Sequence, residues 1–177
     1  MKKKILAFVA GLTLVSSVGF AAPLNSLNTG ETAVGYSYYN MSHSTDNNSY
    51  YLENAVSDKF TLGVERNNNS GTLGAKWNTT DIYAQYKLDP NVRLIVGNRD
   101  YDYADSRMYF GVGVNTNLAP KLEGYASVIT NSYTTEWQAG VNYAMTDRVS
   151  LNVAYKNNKD NGYATYDGIG IGLNCKF

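Results

Sequence analysis

Arg107-Met-Tyr-Phe-Gly-Val-Gly-Val-Asn-Thr-Asn-Leu118 decides the fold. Met108, Phe110, Val112, Val114, Thr116 and Leu118 share one face. Arg107, Tyr109, Gly111, Gly113, Asn115 and Asn117 share the other. A period of two is that of a β-strand, whose side chains point alternately to opposite sides. The same division recurs outward from this segment. Trp137, Ala139, Val141, Tyr143 and Met145 oppose Glu136, Gln138, Gly140 and Asn142. Ile169, Ile171, Leu173, Cys175 and Phe177 oppose Gly168, Gly170, Gly172, Asn174 and Lys176. No segment of useful length has the 3.6-residue period of an amphipathic helix.

Punctuation between these runs comes in two alternating kinds. Tight turns fall at Ser57-Asp58-Lys59, Leu88-Asp89-Pro90, Ala119-Pro120 and Thr146-Asp147-Arg148. Longer loops rich in Asn, Ser and Asp are expected over Met41 to Ser49, Asn67 to Gly71, Asp102 to Ser106, Asn131 to Thr134 and Asn157 to Gly162. Five loops and four turns join ten strands and place both ends of the sheet on the turn side. The segment Thr72 to Lys87 is long for one strand and its phase slips. Leu73, Ala75 and Trp77 are odd-numbered, whereas Ile82, Ala84 and Tyr86 are even-numbered. A bulge near Asn78-Thr79-Thr80 would account for the slip, and eight strands is the alternative.

Composition narrows the function. The chain has 177 residues, with 16 glycines, 16 tyrosines and only 3 prolines, which suits one closed barrel or sandwich. Its 15 basic and 15 acidic residues cancel, against a nucleic-acid binder that works by neutralising phosphates. One cysteine leaves no disulfide framework or Cys-rich zinc site, and one histidine, His43, leaves few ways to build a histidine-based active site. Lys2, Lys3 and Lys4 precede an apolar stretch from Ile5 to Phe20, which is followed by small residues: a secretory signal peptide over residues 1–21, cleaved between Ala21 and Ala22. Losing three of 15 basic residues leaves 12 against 15 acidic ones, a mature charge of −3. A periplasmic N-terminal segment is expected over residues 22–28 and the barrel over 29–177. After the first twenty residues no run is long and apolar enough for a membrane-spanning helix.

A soluble sandwich also alternates, so three further features assign the apolar face to lipid. The polar face carries small residues (Gly35, Gly63, Gly97, Gly111, Gly113, Gly140, Gly168, Gly170, Gly172) beside long charged ones, as the crowded inside of a narrow barrel requires. Aromatic residues fall near strand ends: Tyr36, Tyr38, Phe110, Trp137 and Tyr155 toward the loops, and Phe60, Tyr86, Tyr143 and Phe177 toward the turns. Two such belts are what amphipathic rings form at two lipid–water interfaces; Trp77 is assigned to them as well. The chain ends on Phe177, in phase with the last strand.

Together these features resemble the small outer-membrane β-barrel proteins of OmpA/OmpX type. The resemblance covers nearly all of the mature chain and is one of architecture. It implies an all-β, closed antiparallel transmembrane barrel of about ten strands in the bacterial cell outer membrane, reached through the periplasm. Its implied partners are outer-membrane lipid and lipopolysaccharide, the barrel assembly machinery acting on the strand that ends in Phe177, and an extracellular ligand at the loops. Nucleic acid is not among them.

Inward phase assigns Glu31, Glu53, Glu65, Asp81, Glu123 and Glu136 to the lumen with Lys59, Lys87, Arg93, Arg99, Arg107, Lys121, Lys156 and Lys176. Near balance suggests a salt-bridge network that fills the lumen, with Arg93 and Glu123 as a buried pair; the alternative is a narrow, slightly cationic channel. No catalytic, cofactor-binding or metal-binding residues are assigned. His43 lies with Ser42, Ser44 and Asp46 in one loop, whereas a lipid-modifying barrel enzyme needs rigidly placed partners. The Asp100, Asp102 and Asp105 tip could hold Ca²⁺, but lacks the glycine and terminal glutamate of an EF-hand. Cys175 reads as an inert apolar residue against lipid. The structural or surface-interaction role is therefore expected, without an enzyme activity. Intact-mass analysis of the mature protein should find Ala22 as its first residue; a product beginning at Met1 would remove the export route.

Overall fold

The computed structural model describes residues 24–160, 162 and 164–177. The expected signal peptide, residues 1–21, lies outside them. Ten antiparallel strands form one closed barrel: β1 Thr32–Met41, β2 Thr45–Ala55, β3 Phe60–Ser70, β4 Lys76–Asp89, β5 Val92–Tyr101, β6 Ala104–Ala119, β7 Leu122–Thr130, β8 Thr134–Ala144, β9 Val149–Asp160 and β10 Thr165–Lys176. Each strand pairs with its sequence neighbours, and β1 pairs with β10. Ten strands, not eight, is the outcome. The seam runs from Ala33↔Lys176 to Met41↔Gly168, and Thr32 and Phe177 exchange backbone hydrogen bonds of 2.9 Å at its end.

All four tight turns fall where the sequence places them. Of the five longer loops, the one at Asn131 to Thr134 does too, between Thr130 of β7 and Thr134 of β8, and the other four do not. Only Ser42 to Ser44 separates β1 from β2, and two residues separate β5 from β6. Most of the Asn- and Ser-rich sequence is strand, as where Asn47, Asn48 and Ser49 pair with Asn69, Asn68 and Asn67. Polar residues satisfy a ladder as well as apolar ones do when neither face has to meet lipid. His43 and Ser44, both at positive φ, turn the chain within this three-residue β1–β2 connection.

The expected bulge at Asn78 to Thr80 is absent. The β3–β4 ladder runs without interruption from Phe60↔Tyr86 to Ser70↔Lys76. Odd residues face inward along all of β4, so Trp77 points into the barrel mouth and is not a belt residue. Its ring packs on Tyr166 with centroids 5.5 Å apart. Leu73, within a short 3₁₀ turn at Thr72–Gly74, and Ala75, just after it, precede the strand. The register shifts at Lys87/Asp89, Arg99/Tyr101 and Asn117/Ala119 instead.

The two faces differ as the alternation requires. Outside, Ile169, Ile171, Leu173 and Cys175 of β10 continue sideways into Val34, Tyr36 and Tyr38 of β1 and Val149, Leu151, Val153 and Tyr155 of β9. From Ile169 to Phe177 this outward phase runs over nine residues, within the roughly 9–11 that a tilted membrane-crossing strand needs. Phe60–Tyr86 and Trp137–Tyr155 stack as tilted ring pairs on this surface. Above it, on the loop side, the outward residues turn polar: Asn40, Asp46, Arg66, Asn78 and Asp100. The barrel wall extends past its apolar band.

Inside, five tyrosines (Tyr39, Tyr51, Tyr83, Tyr109 and Tyr125) are buried. Four of them lie over a glycine directly opposite on the next strand: Tyr51 on Gly35, Tyr83 on Gly63, Tyr109 on Gly97 and Tyr39 on Gly170. A Cβ at any of the four would fall within the ring. The inward glycines are therefore sockets for inward tyrosines, and each pair fixes the register of its two strands. Gly63→Val should destabilise the barrel by about 1–3 kcal/mol through overpacking, and Tyr83→Ala in the same chain should recover part of the loss. Urea unfolding in detergent measures both; an unchanged Gly63→Val midpoint would contradict the socket.

Candidate functional site

The lumen holds the chain's charge chemistry, in two layers. In the loop-side layer Arg99 is clamped between two carboxylates. Its Nε donates to Asp81 Oδ1 at 2.7 Å, its Nη2 to Asp81 Oδ2, and its Nη1 pairs with Glu136. Lys156 Nζ donates to Asn67 Oδ1 at 3.0 Å and Asn47 Oδ1 at 3.2 Å, lies 4.0 Å from Glu65, and stands 4.7 Å from the Tyr39 ring centre. Ser49 Oγ donates to Glu65 at 2.5 Å. All five charged groups are buried. Charges taken out of water persist only when paired and hydrogen-bonded, and here the partners come from β2, β3, β4, β5, β8 and β9.

The turn-side layer is built around the chain's own N-terminal segment. Residues 24–28 run into the barrel mouth, with Leu24, Asn25 and Leu27 buried. Four successive carbonyls each meet a lumen side chain. Leu24 O accepts from Asn142 at 3.4 Å, Asn25 O from Arg93 at 2.8 Å, Ser26 O from Lys176 at 2.6 Å, and Leu27 O from Lys87 at 3.0 Å. Asn25 Nδ2 donates to Glu53 Oε2 at 2.9 Å, and Ser26 Oγ to Glu123 at 2.5 Å. Glu53 also accepts from Tyr83 and Gln85. The Leu24 side chain sits over Gly113. Where this segment meets β1, the Asn28 N–H and side-chain amide both donate to Glu31 and hold its carboxyl below the usual carboxylate range. That contribution is present above the unfolded-state value and is lost as pH falls through the folded one.

The inward-phase residues thus divide. Glu53, Glu65, Asp81, Glu136, Arg93, Arg99 and Lys156 are buried together. Glu31, Glu123, Lys87, Arg107 and Lys176 are half-buried toward the two ends. Lys59 and Lys121 are exposed in turns, a correction to their lumen assignment: inward phase stops meaning interior once the ladder ends. Arg93 and Glu123 do not form the expected ion pair; each is held by the N-terminal segment instead. Arg107 leans over the Tyr133 ring, 4.4 Å from its centre, and donates to the Tyr133 hydroxyl at 2.6 Å.

The loop-tip residues are separately occupied. Ser106 donates to Asp100 at 2.8 Å, Arg66 and Asn78 donate to Asp102, and Arg107 meets Asp105 at 3.4 Å, so the three carboxylates do not converge. His43 Nδ1 lies 3.2 Å from Ser42 Oγ, and its ring packs edge-on to Tyr166. Ser42 Oγ in turn accepts from the Asp167 backbone N–H at 3.0 Å. Serine and acid do not line up on opposite nitrogens of this imidazole, as a relay would require. Beside these residues, at the loop-side mouth, a recess of about 150 Å³ is lined by Trp77, Tyr101, Asn158 and Asp160 among others.

A closed antiparallel ladder, polar inside and apolar outside, defines the architecture of a small outer-membrane β-barrel. The resemblance to the OmpA/OmpX type holds at that level. No family model matches the chain, and no curated protein matches it in sequence. Among solved structures it is similar to the N-terminal β-barrel domain of OprF from Pseudomonas aeruginosa, at 12% identity and a TM-score of 0.48 over 85% of this chain and 100% of that one. It is also similar to the KdgM porin in complex with disordered oligogalacturonate (8%, 0.48, covering 82% and 99%) and to a designed transmembrane β-barrel (16%, 0.47, covering 86% and 100%).

Removing the buried cation should cost far more than removing an exposed one. Arg99→Met leaves Asp81 and Glu136 unpaired and should destabilise by about 3–5 kcal/mol. Arg66→Ala breaks the half-exposed pair with Asp102 and should cost about 0–1 kcal/mol. Equal losses in the same urea titration would overturn the assignment of Arg99 as the centre of the network.

Proposed function

We propose that this protein is an integral protein of the bacterial outer membrane with a structural or surface-interaction role, exported through the periplasm and closed to solute flow. The N-terminal segment carries the closed reading. Its four carbonyls and two polar side chains use the basic and acidic groups that would otherwise line a water-filled path. Above it, the Arg99 and Lys156 networks tie six strands together across the same lumen. Barrels with open aqueous channels have considerably more strands. The outward belts supply the contact with lipid and lipopolysaccharide, and the β10 strand ending in Phe177 is the segment offered to the assembly machinery. The polar wall above the apolar band presents the loop-side mouth to the exterior. No residue is assigned a catalytic role.

Planar-bilayer recording tests the closed lumen. The wild-type barrel should give no stepwise conductance. Steps in the wild type that change on neutralising Arg93 or Arg107 would make it a channel instead.

A further inference from the structure

The loop-side recess has a composition that neither the closed lumen nor the lipid surface explains. One wall is aromatic. Trp77 faces it, held from behind by Gly71 and Tyr166, and the Tyr101 ring stands on the same cavity. Tyr101 is fixed there through its hydroxyl, which meets Asn131 Nδ2 at 3.2 Å and Thr134 Oγ1 at 3.5 Å. The opposite wall is β9, where Asn158 and Asp160 point inward. Asn158 lies between Glu136 on one side and Tyr166 on the other, and its Oδ1 is buried with no hydrogen-bond partner among the described residues. A buried amide oxygen without a donor costs stability unless something supplies one.

Charge limits what can supply it. Arg99 reaches the floor of the recess, but Asp81 and Glu136 already hold its guanidinium. Asp102 at the rim is paired with Arg66. Asp160 adds a further carboxylate, so an anion entering the recess meets excess negative charge. The volume, about 150 Å³, is below the ~300–1,000 Å³ of drug-sized pockets and suits a single small ring.

We infer that this recess binds one neutral sugar ring, such as the exposed terminal hexose of a glycan. The ring's C–H face would lie on Trp77. Its hydroxyls would donate to Asn158 Oδ1 and the Asp160 carboxylate, supplying the missing donor. The inference rests on the surface-interaction role proposed above and names its ligand class.

Two tryptophans are present, so Trp137→Phe leaves Trp77 as the only indole reporter. Its emission in the detergent-folded barrel is titrated with methyl glucoside, methyl galactoside and methyl mannoside, and with choline chloride. At least one glycoside should give a saturable change in the millimolar range. Asn158→Leu and Asp160→Asn should each weaken it by about tenfold, in proteins whose unboiled gel mobility stays that of the folded barrel. No saturation with any glycoside, saturation with choline alone, or unchanged binding in both variants would overturn the sugar site. Maleimide labelling of Tyr103→Cys on intact cells, in a Cys175→Ala background, tests the outward placement separately. Sugar binding in detergent without surface labelling would overturn that placement and leave the site standing.

Discussion

Closure is the constraint on which everything else in this barrel depends. In lipid an unpaired backbone N–H or C=O has no water to turn to, so a sheet can cross only if it has no edge. The β1–β10 ladder removes the last edge, and it also decides what every side chain does. With ten strands joined, odd residues of the first seven strands and even residues of the last three are enclosed in one narrow space. The tyrosine–glycine sockets follow, because large inward rings fit only where the opposite strand offers no side chain. The charge networks follow as well, because a polar group enclosed there must find its partner among the others.

The interior is organised by what each end of the lumen must satisfy. Toward the loops, Arg99 with Asp81 and Glu136, and Lys156 with Glu65, Asn47 and Asn67, are self-contained. Toward the turns, Arg93, Lys87 and Lys176 are not matched by carboxylates of their own layer. They are matched by backbone carbonyls of residues 25–27. This division makes the N-terminal segment part of the barrel's interior chemistry.

Much of this was legible in the sequence because strand geometry is strictly periodic. Parity along Arg107 to Leu118 identifies both faces of β6, and the four turns locate strand ends to within a residue or two. What parity cannot see is height along the barrel. Lys59 and Lys121 have inward parity but lie beyond the ladder. Trp77 has an odd number in a strand whose apolar face is even, a signal that it points inward; reading it as a belt residue produced a bulge that does not exist. The Asn-rich stretches read as loops because a strand with no lipid face has no apolar alternation to reveal it. The place of the N-terminal segment leaves no trace in the sequence, since contacts between residues 24–28 and strands up to 150 positions away have no local pattern.

The protein's single cysteine offers a direct test of closure. Cys175 of β10 lies outward on the seam, directly opposite Val34 of β1. Antiparallel neighbours at such positions are ~4.5–5.5 Å apart between Cα atoms, within the ~4.4–6.8 Å a disulfide spans. Val34→Cys, folded in lipid vesicles and treated with a membrane-permeable oxidant, should form an intramolecular bond that links the first and last strands in proteolytic mass spectra. Two free thiols in the oxidised, folded protein would mean that β1 and β10 are not joined, and the enclosed lumen would go with them.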